Sequence, residues 1–275
     1  MSLLLIDGDI VAHRVAWTCE RTKYLVSRPD NLVAGDGNGG HELFDDAKTA
    51  KQYADEGQGY LVWSRKEIEP EEKAITVCEQ VMRDITARYD LEPRTFLTPS
   101  VGNFRDKVAT RAKYKGNRDS APRPTHLKAV REYLTRKWHA TLAEGQEADD
   151  CIGIYATSNP GSVIVSIDKD LRQIPATHYN WVDKEEIVID KKTGDLNFFV
   201  QVLTGDKTDN VPGIAGVGPV TAAKILEGAQ SRKECWARIE ARYKEEYGDD
   251  GLKHAIETAN LVWILREPGQ YFVCP

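Results

Sequence analysis

The chain has 275 residues, 41% of them hydrophobic and 29% charged, and a net charge of −6. That is enough apolar material for one large domain or a domain with an appended lobe, while no stretch approaches the roughly 18 consecutive apolar residues of a membrane span. The five cysteines (Cys19, Cys78, Cys151, Cys235, Cys274) are scattered and lack C-x-x-C spacing, which argues against a zinc cluster or disulfide scaffold and for a reducing cytoplasm.

In chain order, MSLLLIDGDIV has no basic leader and meets acids at once, so Ser2–Ile6 reads as a buried strand rather than a signal peptide. Ser27–Gly40, with GDGNGG, reads as a flexible surface loop whose glycine spacing fits neither a P-loop nor a dinucleotide fingerprint. Helical patterning covers Ala47–Glu56 and Glu71–Tyr89, and a strand pattern covers Thr95–Thr98. A basic strip follows, FRDKVATRAKYKGNR from Phe104 to Arg118, and Pro122 and Pro124 break the chain after it. Helix Thr125–Lys137, strand Ala140–Ala143, helix Ala148–Thr157 and strand Ser162–Ile167 alternate, and further strand patterns lie at Tyr179–Val182 and Glu185–Asp190. From about Phe198 to Leu265 the pattern is helical. There is no internal repeat. Alternating strands and helices predict an α/β fold, a mostly parallel central sheet flanked by helices. The helical C-terminal part predicts a lobe at 198–275 beside a main domain at 1–197. Functional groups in such a sheet collect beyond the carboxyl ends of its strands.

Acids gather at those ends. Asp7 and Asp9 follow the first strand, Asp168 and Asp170 follow SVIVSI, Glu147, Asp149 and Asp150 open a helix in GQEADD, and Asp206 and Asp209 lie in GDKTDN. Taken singly, each has an ordinary explanation: acids suit a helix start, and Asp after a strand is common turn chemistry. Taken together, carboxylates this close cannot all stay ionised without compensation. Hard divalent cations with oxygen ligands supply it, and two Mg²⁺ or Mn²⁺ ions about 4 Å apart would clamp the attacking and leaving oxygens of a phosphodiester.

The basic strip holds Arg105, Lys107, Arg111, Lys113, Lys115 and Arg118 against one acid. A solvated charged face is the plain reading. The functional one has Tyr114 stacking on a base, with Lys115 and Arg118 holding phosphate and stabilising charge in the transition state. In GIAGVGP, the glycines Gly213, Gly216 and Gly218 allow close backbone approach. Pro219 suits the first turn of the helix that follows, whose N–H groups can bind phosphate without reading sequence; Lys224 lies on that helix.

In their order and spacing, LLLIDGD, YKGNR, EADD, SIDKD, GDKTDN and GIAGVGPVTAAKIL resemble the structure-specific 5′ nuclease superfamily. That group includes flap endonucleases, phage 5′→3′ exonucleases and the 5′-nuclease domain of DNA polymerase I. The build is most similar to the stand-alone phage 5′→3′ exonucleases. The resemblance implies a PIN-like sheet, an arch or gateway at about 100–124, and a C-terminal helix–hairpin–helix-type (H3TH) motif. It implies that Asp7, Glu147 and Asp149 hold one metal, that Asp168, Asp170 and Asp209 hold a second, and that Asp150 and Asp206 are outer carboxylates. Lys115 and Arg118 would be catalytic. Arg105, Lys107, Arg111, Lys113, Tyr114, Gly213, Gly216, Gly218 and Lys224 would meet DNA, with K⁺ at the glycine turn. The implied activity is Mg²⁺- or Mn²⁺-dependent hydrolysis of double-stranded or flapped DNA with a 5′ end, by a monomer in phage-type replication in a bacterial cytoplasm. DNA contact of this kind is salt-sensitive and mostly blind to sequence.

One position departs from the pattern. The superfamily has a further Asp after the second core strand, where this chain reads LTPSVGNFR and the aligned position is Pro99 or Ser100; Asp106 lies a few residues on. This keeps open a DNA-structure-binding protein with an impaired metal site. A haloacid-dehalogenase-like phosphatase, suggested by Asp7-Gly8-Asp9, would leave YKGNR and the glycine turn without a role.

Overall fold

A computed structural model of the chain describes residues 1–27, 42–57, 60–118 and 121–275. The order is β1 (Leu3–Asp7), α1 (Gly8–Thr18), β2 (Glu20–Ser27), β3 (Glu42–Phe44), α2 (Ala47–Glu56), β4 (Leu61–Ile68), α3 (Glu71–Ala87) and β5 (Glu92–Leu97). A short α4 (Arg105–Val108) leads to α5 (Leu127–Trp138), β6 (Thr141–Leu142), α6 (Ala148–Ser158), β7 (Val163–Val165), β8 (Ala176–Asn180) and β9 (Glu185–Ile189). The remainder is α7 (Lys191–Thr204), a two-stranded ribbon β10 (Gly205–Asp206) and β11 (Val211–Pro212), then α8 (Pro219–Leu226), α9 (Arg232–Tyr247) and α10 (Gly251–Val262).

The main sheet runs β6-β5-β1-β7-β8-β9 and is parallel except for β9, which pairs antiparallel with β8. β1 is apolar at every position before Asp7 and buried throughout, as a central parallel strand covered on both faces must be. Its side chains alternate between two cores. Leu4 and Ile6 pack with α1, α3 and α5 through Val11, Met82 and Leu134, while Leu3 and Leu5 pack with Ile152 of α6 and with Ile264. The chain leaves β1 for β5 and β6 on one side and returns to β7 on the other, so β1 is the point where strand order switches. A crevice beyond the carboxyl ends of β1 and β7 follows from that topology.

A third core ties α7, α8, α9 and α10 together around Phe198, Phe199, Trp236, Tyr243 and Trp263, and it includes Tyr114 from the basic strip. The predicted division at 197/198 falls inside α7. The Glu185–Asp190 strand and the four predicted helices recur within a few residues of their expected ends, whereas of Tyr179–Val182 only Tyr179 and Asn180 are strand, the end of one that begins at Ala176, and Trp181 and Val182 lie in a turn. Two features differ from expectation. α1 follows β1 without a gap, capped by the Asp7 side chain, and β3-β2-β4 form a separate antiparallel sheet packed on α2. The Ser27–Gly40 loop lies outside the described residues beyond Ser27.

Candidate active site

Asp7 ends β1, and one of its carboxylate oxygens accepts from Ile10 N–H at 3.1 Å. The other accepts from the Ser166 hydroxyl at 2.8 Å, and Ser166 Oγ in turn accepts from the Asp168 N–H at 3.0 Å. This bridge joins the ends of β1 and β7, neighbours in the sheet. Burial pushes the Asp7 carboxyl up to about 7, helped by the charges of Asp9 and Asp168. Asp149, in the first turn of α6, is raised well above the carboxylate range by burial and by the fields of Asp7, Asp168 and Glu147. Burial and Asp168 raise Asp170 to about 8; it shares a hydrogen bond with Asp206. Burial also pushes Asp206 upward, but the hydrogen bonds from Asp170, Thr208 N–H and Asp209 N–H prevail, and its carboxyl sits below the ordinary value. Glu147, Asp149, Asp170, Asp206 and Asp209 line one small cavity of about 30 Å³ with Arg105, Tyr114 and Gln201.

The structure thus brings seven of the eight expected metal-site acids to the crevice: Asp7, Glu147, Asp149, Asp168, Asp170, Asp206 and Asp209. Among the described residues, no group of three or more His, Cys, Asp or Glu side chains is already set at ligand spacing. The acids differ in how they are compensated. Asp7, Asp149 and Asp170 carry raised carboxyl groups, the mark of burial and then of crowded like charges. Glu147 and Asp209 are paired with Lys115, whose Nζ is 2.5 Å from Glu147 Oε1 and 3.5 Å from Asp209 Oδ2, and Arg118 pairs with Asp209 as well; burial still raises the Asp209 carboxyl against the pull of both cations. Burial alone would pull the Lys115 ammonium down, but these two carboxylates hold it above its ordinary value. An all-oxygen, undercompensated acidic crevice fits a hard divalent cation.

Four expected roles are corrected. Asp150 is fully buried, and Arg105 Nη1 and Nη2 grip it at 2.7 and 2.9 Å. It also accepts from Leu265 N–H and Glu147 N–H, so its lone pairs are committed to the fold and not to a metal. Arg105 is only 2% exposed and donates to Leu261 and Trp263 carbonyls as well, which removes it from the DNA-facing set. Arg111 donates to Pro212 and His254 carbonyls and pairs with Glu257 at 3.5 Å; it too is structural. Tyr114, 5% exposed, has its ring in the helical core, where it cannot stack on a base. Its hydroxyl lies 2.9 Å from both Glu147 Oε2 and Asp209 Oδ2.

Lys107, Lys113, Gly216, Gly218 and Lys224 are exposed, and Gly213 is half-buried. Asp106 faces solvent on α4 and does not replace the missing acid. The carboxylate beside the end of β5 is Asp9, which accepts from Thr98 N–H at 2.8 Å and is paired with Arg131. The sequence reading missed Ser166, Arg131 and Gln201. Ser166 alone carried a local signal, its place just before the Asp168 turn.

A family model described as "5′-3′ exonuclease, N-terminal resolvase-like domain" matches residues 69–207, and the chain belongs to that family. The chain is 36% identical over 134 residues to DNA polymerase I of Rhizobium leguminosarum, covering 42% of this chain and 13% of that protein. It is 30% identical over 154 residues to the exodeoxyribonuclease of Enterobacteria phage T3, covering 50% of this chain and 51% of that one. Against flap endonuclease Xni of Shewanella sp. (strain W3-18-1) the identity is 32% over 129 residues, with 42% and 49% coverage. The matched stretch therefore spans about half of the phage and Shewanella proteins and a small part of the polymerase. The fold is similar to that of the T5 D15 protein co-crystallized with metal ions, with a TM-score of 0.60, 12% identity, and coverage of 95% of this chain and 89% of that one. It is also similar to T5 5′-exonuclease with zinc bound, with a TM-score of 0.57 and 15% identity.

Proposed function

We propose that the chain is a divalent-metal-dependent 5′→3′ nuclease that hydrolyses phosphodiester bonds of double-stranded or flapped DNA. The observation that carries this reading is the crevice where β1, α6, β7 and the β10–β11 turn deliver their carboxylates beside Lys115 and Arg118. Asp7, Glu147 and Asp149 would hold one ion, Asp168, Asp170 and Asp209 a second, with Asp206 supporting them. Bound there, Mg²⁺ or Mn²⁺ supplies Lewis-acid polarisation of the phosphate and of water. Lys115 and Arg118 orient the scissile phosphate and neutralise the charge that develops on it. Ser166 keeps Asp7 and Asp168 at a fixed separation. The exposed Gly216 and Gly218, the N-terminus of α8 and Lys224 meet duplex phosphates in an H3TH-type contact, where K⁺ would bind. The enzyme works as a monomer in the cytoplasm of a bacterial host, in phage-type replication.

The test is release of product from 5′-labelled duplex and flap DNA with and without Mg²⁺ or Mn²⁺. Asp168→Asn is expected to lower the single-turnover rate by about 10³-fold or more while binding DNA as the parent does. Full activity in that variant would refute the metal assignment. A second reading is favoured by Pro99 and Ser100 in place of an acid, and by the cations already on Glu147 and Asp209. It makes the chain a DNA-structure-binding protein with an impaired metal site, and it predicts duplex affinity without turnover even in Mn²⁺.

A further inference from the structure

The segment from Lys113 to Arg118 is held against the β10–β11 turn by backbone and side-chain amide hydrogen bonds. Lys115 N–H donates to the Asp209 carbonyl at 2.8 Å, Asn210 Nδ2 donates to the Lys113 carbonyl at 2.9 Å, and Asn117 Nδ2 donates to the Lys207 carbonyl at 2.8 Å. Lys115 and Asn210 both take left-handed φ, 53° and 58°, a conformation that asparagine tolerates and that is uncommon for lysine. The segment is thus fixed, and it holds Tyr114 with its ring among the helices and its hydroxyl at the crevice. That hydroxyl is equidistant, at 2.9 Å, from Glu147 at the start of α6 and Asp209 in the turn after α7.

From this geometry we infer that Tyr114 is a positioning residue that sets the gap between the Glu147 and Asp209 carboxylates. The inference rests on the metal-site reading above. The phenol has one proton, so it donates to one carboxylate at a time while remaining in contact with both. Two like charges on different elements would otherwise move apart or recruit more of Lys115. Because Glu147 and Asp209 belong to different ligand groups in that reading, the bridge governs how far apart the two groups stand. A base-stacking tyrosine would need its ring, whereas a positioning tyrosine needs its oxygen, and this separates the two roles.

The experiment compares the parent, Tyr114→Phe and Asp168→Asn by calorimetric titration with MnCl₂ in the absence of DNA, by duplex affinity in EDTA, and by thermal unfolding in EDTA. Tyr114→Phe keeps the ring packing, so its unfolding temperature and its metal-free DNA affinity should match the parent. Its Mn²⁺ affinity should fall by about 10-fold or more, the scale of outer-shell hydrogen-bond losses at metal centres. Parental Mn²⁺ affinity in Tyr114→Phe, with Asp168→Asn binding Mn²⁺ poorly, overturns the positioning role alone. Undiminished Mn²⁺ affinity in Asp168→Asn sinks the metal-site reading and the inference with it.

Discussion

At the scale of single residues, the least replaceable contact is the one between Arg105 and Asp150. Both are buried, the guanidinium forks onto the carboxylate through two hydrogen bonds, and its remaining N–H groups reach two carbonyls near the end of α10. The carboxylates of Asp150 and Glu147 hold the Arg105 guanidinium well above its ordinary value against the downward pull of burial. Removing one member of such a pair strands the other charge and costs about 3–5 kcal/mol. Arg105→Met should therefore show that loss in urea unfolding. Lys107→Met, on the exposed face of the same short helix, should leave stability nearly unchanged and weaken duplex binding. The reverse pattern would return Arg105 to the DNA-facing set. The sequence could not separate the two, because a strip of cations looks uniform until the fold decides which ones face Leu261 and Trp263. The same holds for Arg111 and Tyr114. The acids were easier to place, since a carboxylate at the end of a buried strand has few places to point; Asp150, in the first turn of α6, turns inward to Arg105 instead.

Among the elements, the β10–β11 ribbon shows how glycine builds the crevice wall. Gly205 has φ +65°, and a Cβ on Gly213 would lie 2.2–2.3 Å from the Thr204 carbonyl and the Gly205 nitrogen. The ribbon can close only because both positions lack side chains, and its closure places Asp206 and Asp209 over the cavity. Overpacking of this kind costs about 1–3 kcal/mol or more. At Gly216 there is open space, and the price is only its left-handed φ of +73°, about 1–2 kcal/mol. Gly213→Ala should consequently unfold at lower urea than Gly216→Ala. Equal midpoints would mean that the ribbon is not under that constraint. Hydrophobic period made α3 and β1 legible and the glycines marked the turn from Gly213 to Gly218, but the ribbon itself lies in a stretch expected to be helical. Both signals failed for β2, β3 and β4. ERTKYLVS and LVWSRKEI mix charge with apolar residues and do not alternate cleanly, and their stability comes from each other and from α2. Pairing between segments some 40 residues apart leaves no local trace. α1 was missed for a different reason: Asp7 serves both as a strand end and as a helix cap, and only the first use was read.

For the molecule as a whole, the net charge of −6 and the crowded crevice act together. The parallel sheet and the convergence of strand-end acids followed from alternation and topology. How the acids share protons and cations did not, because that depends on separations the chain does not encode locally. Those separations set a pH dependence. Burial and neighbouring acids raise the Asp7 carboxyl to about 7 and Asp170 to about 8, and Asp149 is raised as well. A carboxyl whose pKa is higher folded than unfolded binds its proton more tightly in the native state. The native state is therefore disfavoured as pH rises from the unfolded value near 4 towards 7 or 8. Asp206 has the opposite sign, with stability lost in acid, so the Asp170–Asp206 pair titrates as one unit sharing a proton. In EDTA, the unfolding temperature of the parent should fall between pH 5.5 and pH 8.5. Asp170→Asn should gain on the parent across that interval, because it lacks one of the groups that ionise unfavourably. On the proposed metal assignment, a divalent ion at pH 8.5 would bind the folded crevice and not the unfolded chain, and so raise stability by mass action. Millimolar Mn²⁺ should then recover the parent's loss, while NaCl of matched ionic strength should not. A parent and Asp170→Asn that track each other across the whole range, with no Mn²⁺ shift at pH 8.5, would show that these acids neither crowd one another nor share a cation.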